Sequence, residues 1–396
     1  MMFDSIDEAL SALTAGRPII VVDSEDRENE GDLLAVTEFM QPDVLNFMIK
    51  EARGLVCAPV SRAIAEKFSL LPMTVTNDDP HGTAFTASID HVMSTTGISV
   101  AERYDTVRAL LGDGAEKTFN SPGHIFPLIA KDDGVLERQG HTEACVDLAR
   151  LCGATQTGVI CEIIKEDGTM ARRDDLVDFK HKHDLKMITI DALVHYRKVT
   201  EPLVTREAVV DMPTKYGHFK LYGFQELYSD KEHVVYMKPY TGIPDVRIHS
   251  ECLTGDVFHS ERCDCGIQLE QALHHIETHG GLVIYLRQEG RGIGLINKLK
   301  AYEKIEQGMD TVEANLALGF ESDMRDYAVA ASILRDLDIL SVNIITNNPR
   351  KISGLKAYGI DVRVRVPHQF VSNVNNRNYL TTKKEKLGHL LEEKLI

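Results

Sequence analysis

Short apolar runs alternate with helical patterns along the first half of the chain. An apolar run too short for a helix predicts a buried strand, and apolar residues spaced three and four apart predict a helix with one packed face. An acidic turn, residues 24–31, lies between the first two strands. The predicted elements of this half are strands at 18–22, 32–37 and 158–164, the last containing Glu162, and helices at 142–152 and 184–196.

The pattern starts again near residue 200, where Pro202 and a stretch of mixed charge lead into new strand-like sequence. The predicted elements of this half are strands at 217–224, 234–237, 281–286 and 342–346, and helices at 269–279, 297–307, 325–337 and after Pro349. A length of 396 residues suits two domains, because a soluble domain usually holds about 100–200 residues. We therefore predict two mixed α/β-sheet domains in tandem, of the α+β or α/β class, at 1–199 and 200–396.

The net charge of the chain limits the kinds of partner that it is expected to bind. A formal net charge of −16 repels phosphate backbones at long range, so we expect no nucleic-acid partner. Small anionic substrates are compatible with this charge, because local clusters of Arg and Lys outweigh the mean field.

Export and membrane signals are the next feature considered. No stretch approaches the roughly 18–20 apolar residues of a membrane span, and the first ten residues lack the basic and apolar regions of a secretory signal. We therefore expect a cytoplasmic protein without a membrane partner. In a reducing compartment, seven cysteines spread over a large chain predict core residues or metal ligands and not disulfides.

Three cysteines lie close together in the second half and form what we name the cysteine cluster. Ten residues separate Cys252 from Cys263, and one residue separates Cys263 from Cys265. Thiolates select zinc, and structural zinc sites usually close with four ligands, often through CxxC pairs. The cluster has neither a CxxC pair nor a fourth cysteine nearby. Three protein ligands plus water is the catalytic arrangement, so we predict a hydrolytic zinc site with an open fourth position.

Two other interpretations of the cysteine cluster stay open from the residues alone. The thiols are simply buried, or His249 or His259 closes a structural zinc site. Neither needs the polar residues around the cluster, which are Arg247, His249, Ser250, Glu251 and Asp256.

Longer motifs surround the cluster and continue toward the end of the chain. They read RIHSECLTGDVFHSERCDCGIQLE, RQEGRGIGL, DTVEANLALGF, SDMRDY, TNNPRK and LGHLL. Over roughly residues 200–396 this sequence resembles GTP cyclohydrolase II. The resemblance implies an enzyme that opens the guanine ring of GTP and releases formate and pyrophosphate, with one Zn²⁺ in the domain.

The functional residues of that family fall on matching positions here, and no position departs from the pattern. The resemblance implies zinc ligands at Cys252, Cys263 and Cys265, a general base at Asp323, a nucleophile toward the α-phosphate at Arg325 and an assisting Tyr302. It implies GTP contacts at Arg247, Ile248, His249, Ser250, Glu251, Gln268, Glu289, Gly290, Arg291, Thr311, Thr346 and Lys351.

Local sequence supports an anion site independently. Residues 287–294, the glycine loop, lie between a predicted strand and a predicted helix, and such loops let backbone N–H groups approach phosphates, although many are only turns. Arg291 adds a charged fork, and Pro349 opens a helix whose N-terminus favours anions. From the residues alone, an N-cap is the simpler interpretation of Asp323. The nucleophilic role of Arg325 follows only from the resemblance, because a guanidinium stays protonated.

The acidic turn in the first half is a dense cluster of oxygen ligands, with four acids, one arginine and one glycine in residues 26–32. Hard cations such as Mg²⁺ take such ligands. The alternative is a solvated charged turn. Further along, residues 140–144 open a predicted helix after Arg138, which predicts a phosphate cradle with an attached imidazole, His141.

These segments belong to longer motifs, DSEDRENEGD, TAFTASID, TTGISVAER, SPGHIFPLIA, RQGHTEA and GVICEI. Over roughly residues 1–199 they resemble 3,4-dihydroxy-2-butanone 4-phosphate synthase, which implies conversion of ribulose 5-phosphate to a four-carbon phosphate and formate with Mg²⁺ or Mn²⁺. The resemblance implies metal ligands at Glu28 and His141 and two further essential residues at His124 and Glu162. It implies substrate contacts at Arg27, Glu28, Asp32, Arg138, Gln139, Gly140, His141, Thr142 and Glu162.

Proton transfers next to a carbonyl explain why this chemistry needs a metal with carboxylate and imidazole bases nearby. Glu30 shares the acidic turn, and we expect it to join these transfers. Glu162, inside an apolar strand, is alternatively a paired core carboxylate.

Together the two halves resemble the bifunctional proteins of riboflavin biosynthesis, and the resemblance implies a homodimer. Three hypotheses follow. Both halves are active, which every motif residue favours; or one half is catalytically silent; or the cysteine cluster is a structural zinc site in a binding module that does not turn over GTP.

Overall fold

The computed structural model describes residues 2–114 and 117–395. The contacts divide the chain into two compact units, Met1–Arg197 and Lys198–Ile396. Each unit is built on one seven-stranded sheet with helices packed on it. The predicted class, two mixed α/β-sheet domains in tandem, is confirmed.

The first unit has a mixed sheet with the strand order β4-β5-β3-β6-β2-β1-β7. Its strands are β1 (Ile19–Val22), β2 (Gly31–Val36), β3 (Cys57–Val60), β4 (Ile89–His91), β5 (Phe119–Ile129), β6 (Gly158–Glu162) and β7 (Lys186–Thr189). Its helices are α1 (Ile6–Thr14), α2 (Pro42–Phe47), α3 (Arg62–Lys67), α4 (Val100–Ala109), α5 (His141–Leu151), α6 (Arg173–His183) and α7 (Ile190–Thr200), with a π-helical turn at Met48–Ala52 and a 3₁₀ turn at Gly134–Leu136.

Both faces of the central strands in this sheet are buried. Ile20 and Val22 of β1 pack in one core, while Ile19 and Val21 pack in the other. Because successive strand residues point to opposite faces, a strand covered on both sides needs an apolar residue at every position. The second core includes the buried face of α5, which fixes the place of His141 in the first turn of that helix.

The second unit has a sheet with the strand order β14-β13-β11-β12-β10-β9-β8. Its strands are β8 (Val204–Thr214), β9 (Gly217–Glu226), β10 (Glu232–Lys238), β11 (Asp245–Ser250), β12 (Gly281–Leu286), β13 (Ser341–Ile345) and β14 (Asp361–Val366). Its helices are α8 (Leu253–Asp256), α9 (Cys265–His279), α10 (Leu295–Glu306), α11 (Thr311–Ala317), α12 (Ala328–Asp336), α13 (Pro349–Ala357) and α14 (Arg377–Glu385), with 3₁₀ turns at Glu289–Gly292 and Glu393–Leu395.

Parallel strands bring the motifs of the second half to one edge of its sheet. Strand β11 lies between β12 and β13 and runs parallel to both. The loops that leave the carboxyl ends of these three strands carry Cys252, Glu289 and Thr346. Ligands commonly bind just outside the carboxyl ends of parallel strands, so the fold places three distant motifs around one site.

Two predicted helices differ from the structure. Residues 184–196 contain strand β7 before α7, because residues 186–189 pair in parallel with β1 after Asp184 ends α6 in the left-handed conformation. The helix predicted from Arg325 begins at Ala328, whose N–H donates to the Asp326 carboxylate at 2.9 Å.

All seven cysteines are free thiols, in agreement with the sequence. Within the described residues, no helix combines the length and the apolar content needed to cross a membrane.

Candidate active sites

The acidic turn folds around one buried carboxylate, Asp23, which directly follows β1. Asp23 Oδ1 accepts the N–H of Glu30 at 2.8 Å, and Oδ2 accepts the N–H of Glu28 at 3.0 Å. Arg27 Nη1 donates to Asp23 Oδ2 at 3.0 Å, and Arg27 Nη2 lies 2.8 Å from Glu28 Oε1. The turn is therefore an ordered loop and not a solvated run of charges.

His141 joins this turn to the sheet. Its Nδ1 lies 3.7 Å from Glu28 Oε2, and its Nε2 lies 3.8 Å from Asp32 Oδ1. The ligand atoms of Asp23, Glu28 and His141 all lie within 4.8 Å of one another. Two carboxylates and an imidazole are a donor set that a divalent cation accepts, so the residues present fit a metal. Asp23 was not predicted, and its oxygens already hold the turn.

Asp32 of β2 is a buried acid beside this imidazole. It is 3% exposed, and its Oδ1 accepts no hydrogen bond from the described residues. Burial raises the pKa of Asp32 to about 7, although the charge of His141 opposes the shift. Burial alone would lower the pKa of His141, but the charges of Asp32 and Glu28 raise it to about 9. A carboxyl group that titrates near neutral pH next to an imidazole is suited to proton transfer.

The N-terminus of α5 forms an ordered corner, in which hydrogen bonds fix the side chain of Arg138. Arg138 is held by Glu143 Oε2 at 2.5 Å, by the carbonyl of His81 at 3.0 Å and by Thr83 Oγ1 at 3.0 Å. A Cβ added to Gly140, the N-cap of α5, would lie 2.2 Å from Arg138 Nη1, so a larger residue there would displace the Arg138 guanidinium. The free N–H groups of a helix N-terminus favour an anion at this corner.

The other predicted substrate contacts lie on either side of that corner. Thr142 is buried in the first turn of α5, and Gln139 is exposed just before it. Glu162 ends β6 directly opposite Asp32 of β2 in the strand register, and its Oε2 accepts the N–H of Leu55 at 2.8 Å. Glu162 is therefore half-buried beside the acid and not enclosed in the apolar core.

His124 is the predicted residue that the structure does not bring to this cluster. It lies on β5, and its Nδ1 is 2.8 Å from Asp90 Oδ2 of the neighbouring β4. In the sheet, β3 and β6 stand between β5 and β2, and three strand spacings amount to about 14 Å.

The cysteine cluster of the second unit has the geometry of a zinc site. Cys252 follows β11, and Cys265 begins α9. The Sγ atoms of Cys252 and Cys263 lie 3.7 Å apart, and all three Sγ atoms lie within 4.8 Å of one another. Tetrahedral Zn–S bonds of about 2.3 Å require sulfur atoms about 3.8 Å apart, so the thiols fit zinc. Among the described residues, the potential ligand group consists of these three cysteines without a histidine, which disfavours a closed structural site.

His249 is engaged elsewhere. Its Nε2 lies 3.1 Å from both carboxylate oxygens of Asp256, and its ring stacks on Tyr285. Asp256 also accepts the N–H of Cys252 at 2.9 Å, so this buried network fixes the backbone of the first cysteine. His249 Nδ1 and Ser250 Oγ are buried without a partner in the described residues.

A cavity of about 570 Å³ opens beside the cysteine cluster, a volume in the range of small-molecule sites. Its wall carries seven cationic side chains against four acidic ones, an excess that suits a polyanion although the whole chain is acidic. The cations are Arg247, Arg262, Arg291, Lys298, Arg325, Lys351 and Lys383.

Two of these cations are fixed by backbone carbonyls and retain donors for a ligand. Arg247 Nη1 donates to the carbonyl of Ile345 at 3.0 Å, and Lys351 Nζ donates to the carbonyl of Ile248 at 2.7 Å. Arg247 Nε and Arg291 Nη2 are buried without a partner in the described residues. Burial and the charge of Arg247 hold the pKa of Lys351 well below its usual range. A bound anion would satisfy these donors and reverse that shift.

Asp323 and Arg325 form a bidentate ion pair. Arg325 Nε lies 2.8 Å from Asp323 Oδ1, and Arg325 Nη2 lies 2.6 Å from Oδ2. Burial would raise the pKa of Asp323, but the guanidinium lowers it. The carboxylate caps no helix, since Asp326 takes the first N–H of α12, so the N-cap interpretation of Asp323 is wrong.

The glycine loop is shaped by Gly290 and Arg291, which both have a φ of 63°. The Glu289 carboxylate accepts the N–H of Leu253 at 2.6 Å and that of Gly290 at 2.8 Å, and it lies 2.9 Å from Lys298 Nζ. Glu289 therefore ties the glycine loop to the cysteine cluster, and it also lines the cavity, where direct contact with GTP stays a prediction.

The remaining predicted residues of this site are on the cavity wall or just behind it. Those on the wall are Glu251, Gln268, Tyr302, Thr311 and Thr346. Ile248 is the backbone partner of Lys351, and Asp323 is the side-chain partner of Arg325.

Three buried charged residues were missed at this site: Lys298, Lys383 and Asp264. Lys383 of α14 lies 2.6 Å from Asp264, which stands between two cysteines of the cluster, and Lys298 of α10 donates to Cys252 Sγ at 3.1 Å. Lysines on helices normally face solvent, so nothing in the spacing marked these two.

The chain matches two family models, that of 3,4-dihydroxy-2-butanone 4-phosphate synthase over residues 7–196 and that of GTP cyclohydrolase II over residues 205–367. The riboflavin biosynthesis protein RibBA of Staphylococcus aureus is 58% identical over 99% of this chain and 100% of its own length. RibBA of Staphylococcus epidermidis is 57% identical over the same shares. The crystal structure of RibBX, a two-domain 3,4-dihydroxy-2-butanone 4-phosphate synthase from A. baumannii, covers 92% of this chain and 99% of that chain at 34% identity, with a TM-score of 0.67. The chain belongs to the family of bifunctional riboflavin biosynthesis proteins, in which a 3,4-dihydroxy-2-butanone 4-phosphate synthase domain precedes a GTP cyclohydrolase II domain.

Proposed function

We propose that the second half hydrolyses GTP to 2,5-diamino-6-(5-phosphoribosylamino)pyrimidin-4(3H)-one, formate and pyrophosphate. The observation that carries this proposal is the placement of three thiols at a cavity whose wall is cationic. Arg247, Arg291 and Lys351 hold the triphosphate, because their buried N–H donors need acceptors.

Cys252, Cys263 and Cys265 hold one Zn²⁺ in this proposal. Bound there, zinc supplies an activated water near neutral pH. His249 and Ser250 line the same cavity with unsatisfied polar atoms, which suits contact with the guanine base. Tyr302, on the wall from α10, assists ring opening.

Asp323 and Arg325 act as a pair at the α-phosphate. A guanidinium is a nucleophile only after it loses a proton, and Asp323 Oδ2, 2.6 Å from Arg325 Nη2, is placed to accept one. The ion pair also opposes this step, since it stabilises the charged form of both groups. The pair therefore has to loosen when the triphosphate binds.

For the first half we propose conversion of D-ribulose 5-phosphate to 3,4-dihydroxy-2-butanone 4-phosphate and formate. Glu28 and His141 hold Mg²⁺ or Mn²⁺, which polarises the hydroxyl and carbonyl oxygens of the substrate. Asp32 and Glu162, opposite each other in the sheet, move protons at the adjacent carbons, and Glu30 joins them from the acidic turn.

The phosphate of that substrate lies at the start of α5. Arg138 and the N–H groups of residues 141 and 142 lie at that corner, while the N–H of Gly140 donates to the carbonyl of Arg138. Arg27 contacts the substrate from the acidic turn in this proposal. His124 enters this proposal through the family resemblance, because within the chain it pairs with Asp90.

We also propose a homodimer that acts on small molecules and binds neither nucleic acid nor membrane. The net charge of −16 supports the exclusion of nucleic acid, and the family resemblance supports the dimer.

The second candidate function is a chain in which only the synthase half is active. One observation favours it: the two-domain RibBX, which covers 92% of this chain, is named a synthase alone. The cysteine cluster and its cationic cavity favour two activities instead.

Paired variants of the full chain decide between these functions. Formate is measured from GTP with Zn²⁺ and from ribulose 5-phosphate with Mg²⁺, in wild type, Cys263→Ser and Glu28→Gln. We expect Cys263→Ser to lose formate from GTP only and Glu28→Gln to lose formate from ribulose 5-phosphate only.

The matched controls are Cys152→Ser, a thiol outside the cluster, and Glu25→Gln, an acid whose side chain is 62% exposed at the edge of the same turn. Both should keep both activities. Full GTP turnover by Cys263→Ser would refute the zinc mechanism. Wild type that releases formate from ribulose 5-phosphate alone would establish the second candidate.

A further inference from the structure

Lys298 is a buried cation at the boundary between the cysteine cluster and the glycine loop. It lies in the first turns of α10, and only 10% of its side chain is exposed. A buried ammonium is costly unless it is fully paired, so its partners define its role.

All three donors of this ammonium are used inside the protein. Lys298 Nζ donates to Cys252 Sγ at 3.1 Å, to Thr254 Oγ1 at 2.8 Å and to Glu289 Oε1 at 2.9 Å. A lysine has three N–H donors, so none is left for a phosphate. Although Lys298 lines the cavity, it is not built as a substrate ligand.

Glu289 extends the same link. Its Oε2 accepts the N–H of Leu253, the residue after the first cysteine, and its Oε1 accepts the N–H of Gly290. Lys298 and Glu289 therefore connect the loop after β11 with the loop after β12 through charge-assisted hydrogen bonds.

The negative charge of the metal site explains why an ammonium group lies at this link. Three thiolates around Zn²⁺ leave a net charge of −1, and an uncompensated charge is unfavourable in a buried site. Lys298 places one positive charge beside a sulfur and beside the Glu289 carboxylate, which also accepts two backbone N–H groups. The formal charge of the zinc site together with Lys298 and Glu289 is therefore −1, and it would be −2 without the ammonium.

We propose that Lys298 is a positioning residue that holds the Cys252 sulfur and offsets part of the negative charge at the three-thiolate metal site. The inference rests on the proposed zinc-dependent function of the second half. Groups that support metal ligands typically contribute about 10–100-fold to metal affinity, which sets the size of the expected effect.

The test uses the full chain with Lys298→Met, Lys298→Arg and the control Lys300→Met, which removes an exposed lysine of the same helix. Zinc retention is measured by titrating each zinc-loaded protein with a chelator. The kcat and KM for GTP are measured in excess zinc, and formate from ribulose 5-phosphate reports that the chain is folded.

We expect Lys298→Met to release zinc at about 10–100-fold lower chelator activity than Lys300→Met. Its kcat for GTP should fall while its KM stays close to wild type, because the lost donors do not face the nucleotide. Lys298→Arg, which keeps the charge, should retain more zinc than Lys298→Met.

Three results distinguish a failure of the role of Lys298 from a failure of the proposed zinc-dependent function. Zinc retention and kcat equal in Lys298→Met and Lys300→Met would overturn the role of Lys298. A Lys298→Arg protein no better than Lys298→Met would overturn the charge argument. Wild type that binds no zinc would instead refute the proposed function itself.

Discussion

At the scale of single residues, buried charged groups set what each site can bind. Asp32 lies among acids and an imidazole in the first half, and burial, helped by the charges of those acids, raises its pKa to about 7 against the charge of His141. In the second half, burial lowers the pKa of Arg247 and of Lys351, and the charges of Arg247 and Arg325 lower that of Lys351 further. The first site thus has an excess of negative charge, which suits a metal cation, and the second has an excess of positive charge, which suits a polyphosphate.

The Asp323–Arg325 pair gives a direct test at this scale. Replacing Asp323 with Asn keeps the shape but removes the proton acceptor, so we expect GTP turnover to fall roughly 10²–10⁴-fold, the usual contribution of a general base. Steady-state kinetics with GTP measure the loss. Glu321→Gln, an exposed neighbour, is the control. A variant with unchanged kcat would exclude Asp323 as the base.

The lowered pKa of His368 makes the stability of the second half depend on pH. Burial, with the charge of Arg247, lowers its pKa to about 3 from an ordinary value near 6.5. Between pH 6.5 and pH 3, His368 is therefore protonated in the unfolded chain but not in the folded chain. The free energy of unfolding falls as the pH drops through this range. At pH 5.5 this amounts to about 1.4 kcal/mol.

Urea unfolding of wild type and His368→Gln at pH 7.5 and 5.5 measures this effect. Gln can still donate to the carbonyl of Gln268, which lies 2.8 Å from His368 Nε2, but it does not titrate. The loss of unfolding free energy between the two pH values should be about 1.4 kcal/mol smaller in the variant. Equal losses in both proteins would show that His368 is protonated in the folded state.

At the scale of elements, short loops after parallel strands surround the candidate site of the second half, and the glycine loop is one of them. Gly290 has a φ of 63°, and an added Cβ would lie 3.1 Å from both Lys298 Cβ and Ile293 Cγ1. The left-handed conformation alone costs a residue with a side chain about 1–2 kcal/mol. A substitution here strains the link between the cysteine cluster and α10.

Gly290→Ala should displace the glycine loop and lower kcat/KM for GTP by about tenfold, the factor that corresponds to about 1.4 kcal/mol of lost transition-state stabilisation. The control is Gly319→Ala, where φ is 80° but open space surrounds an added Cβ. If the two variants lose the same activity, crowding at the glycine loop contributes nothing.

Elements were predictable from sequence where the local pattern is strong, as in β1, α5, β12 and α13. Strand β7 was missed because its four residues run directly into α7, and its pairing with β1 depends on residues far away in the chain. Lys298 and Lys383 were also missed because of distant partners, since they are buried against residues 46 and 119 positions away in the chain. Motif positions at the two sites were predictable because long ordered motifs resemble two known families, whereas the acidic turn and the glycine loop alone also suit a solvated turn and a plain turn.

At the scale of the whole molecule, each half has its own sheet, its own core and its own candidate metal site. The donor sets differ in kind: three thiols in one, carboxylates and an imidazole in the other. Thiolates select zinc, while carboxylates suit Mg²⁺ and Mn²⁺, so the two activities should respond to different metals.

The most direct test of this account strips the full-length wild type of metal and restores one metal at a time. Formate is then measured from GTP and from ribulose 5-phosphate. The account predicts that Zn²⁺ alone restores formate from GTP and that Mg²⁺ or Mn²⁺ alone restores formate from ribulose 5-phosphate. Formate from GTP that returns with Mg²⁺ in the absence of zinc would contradict it.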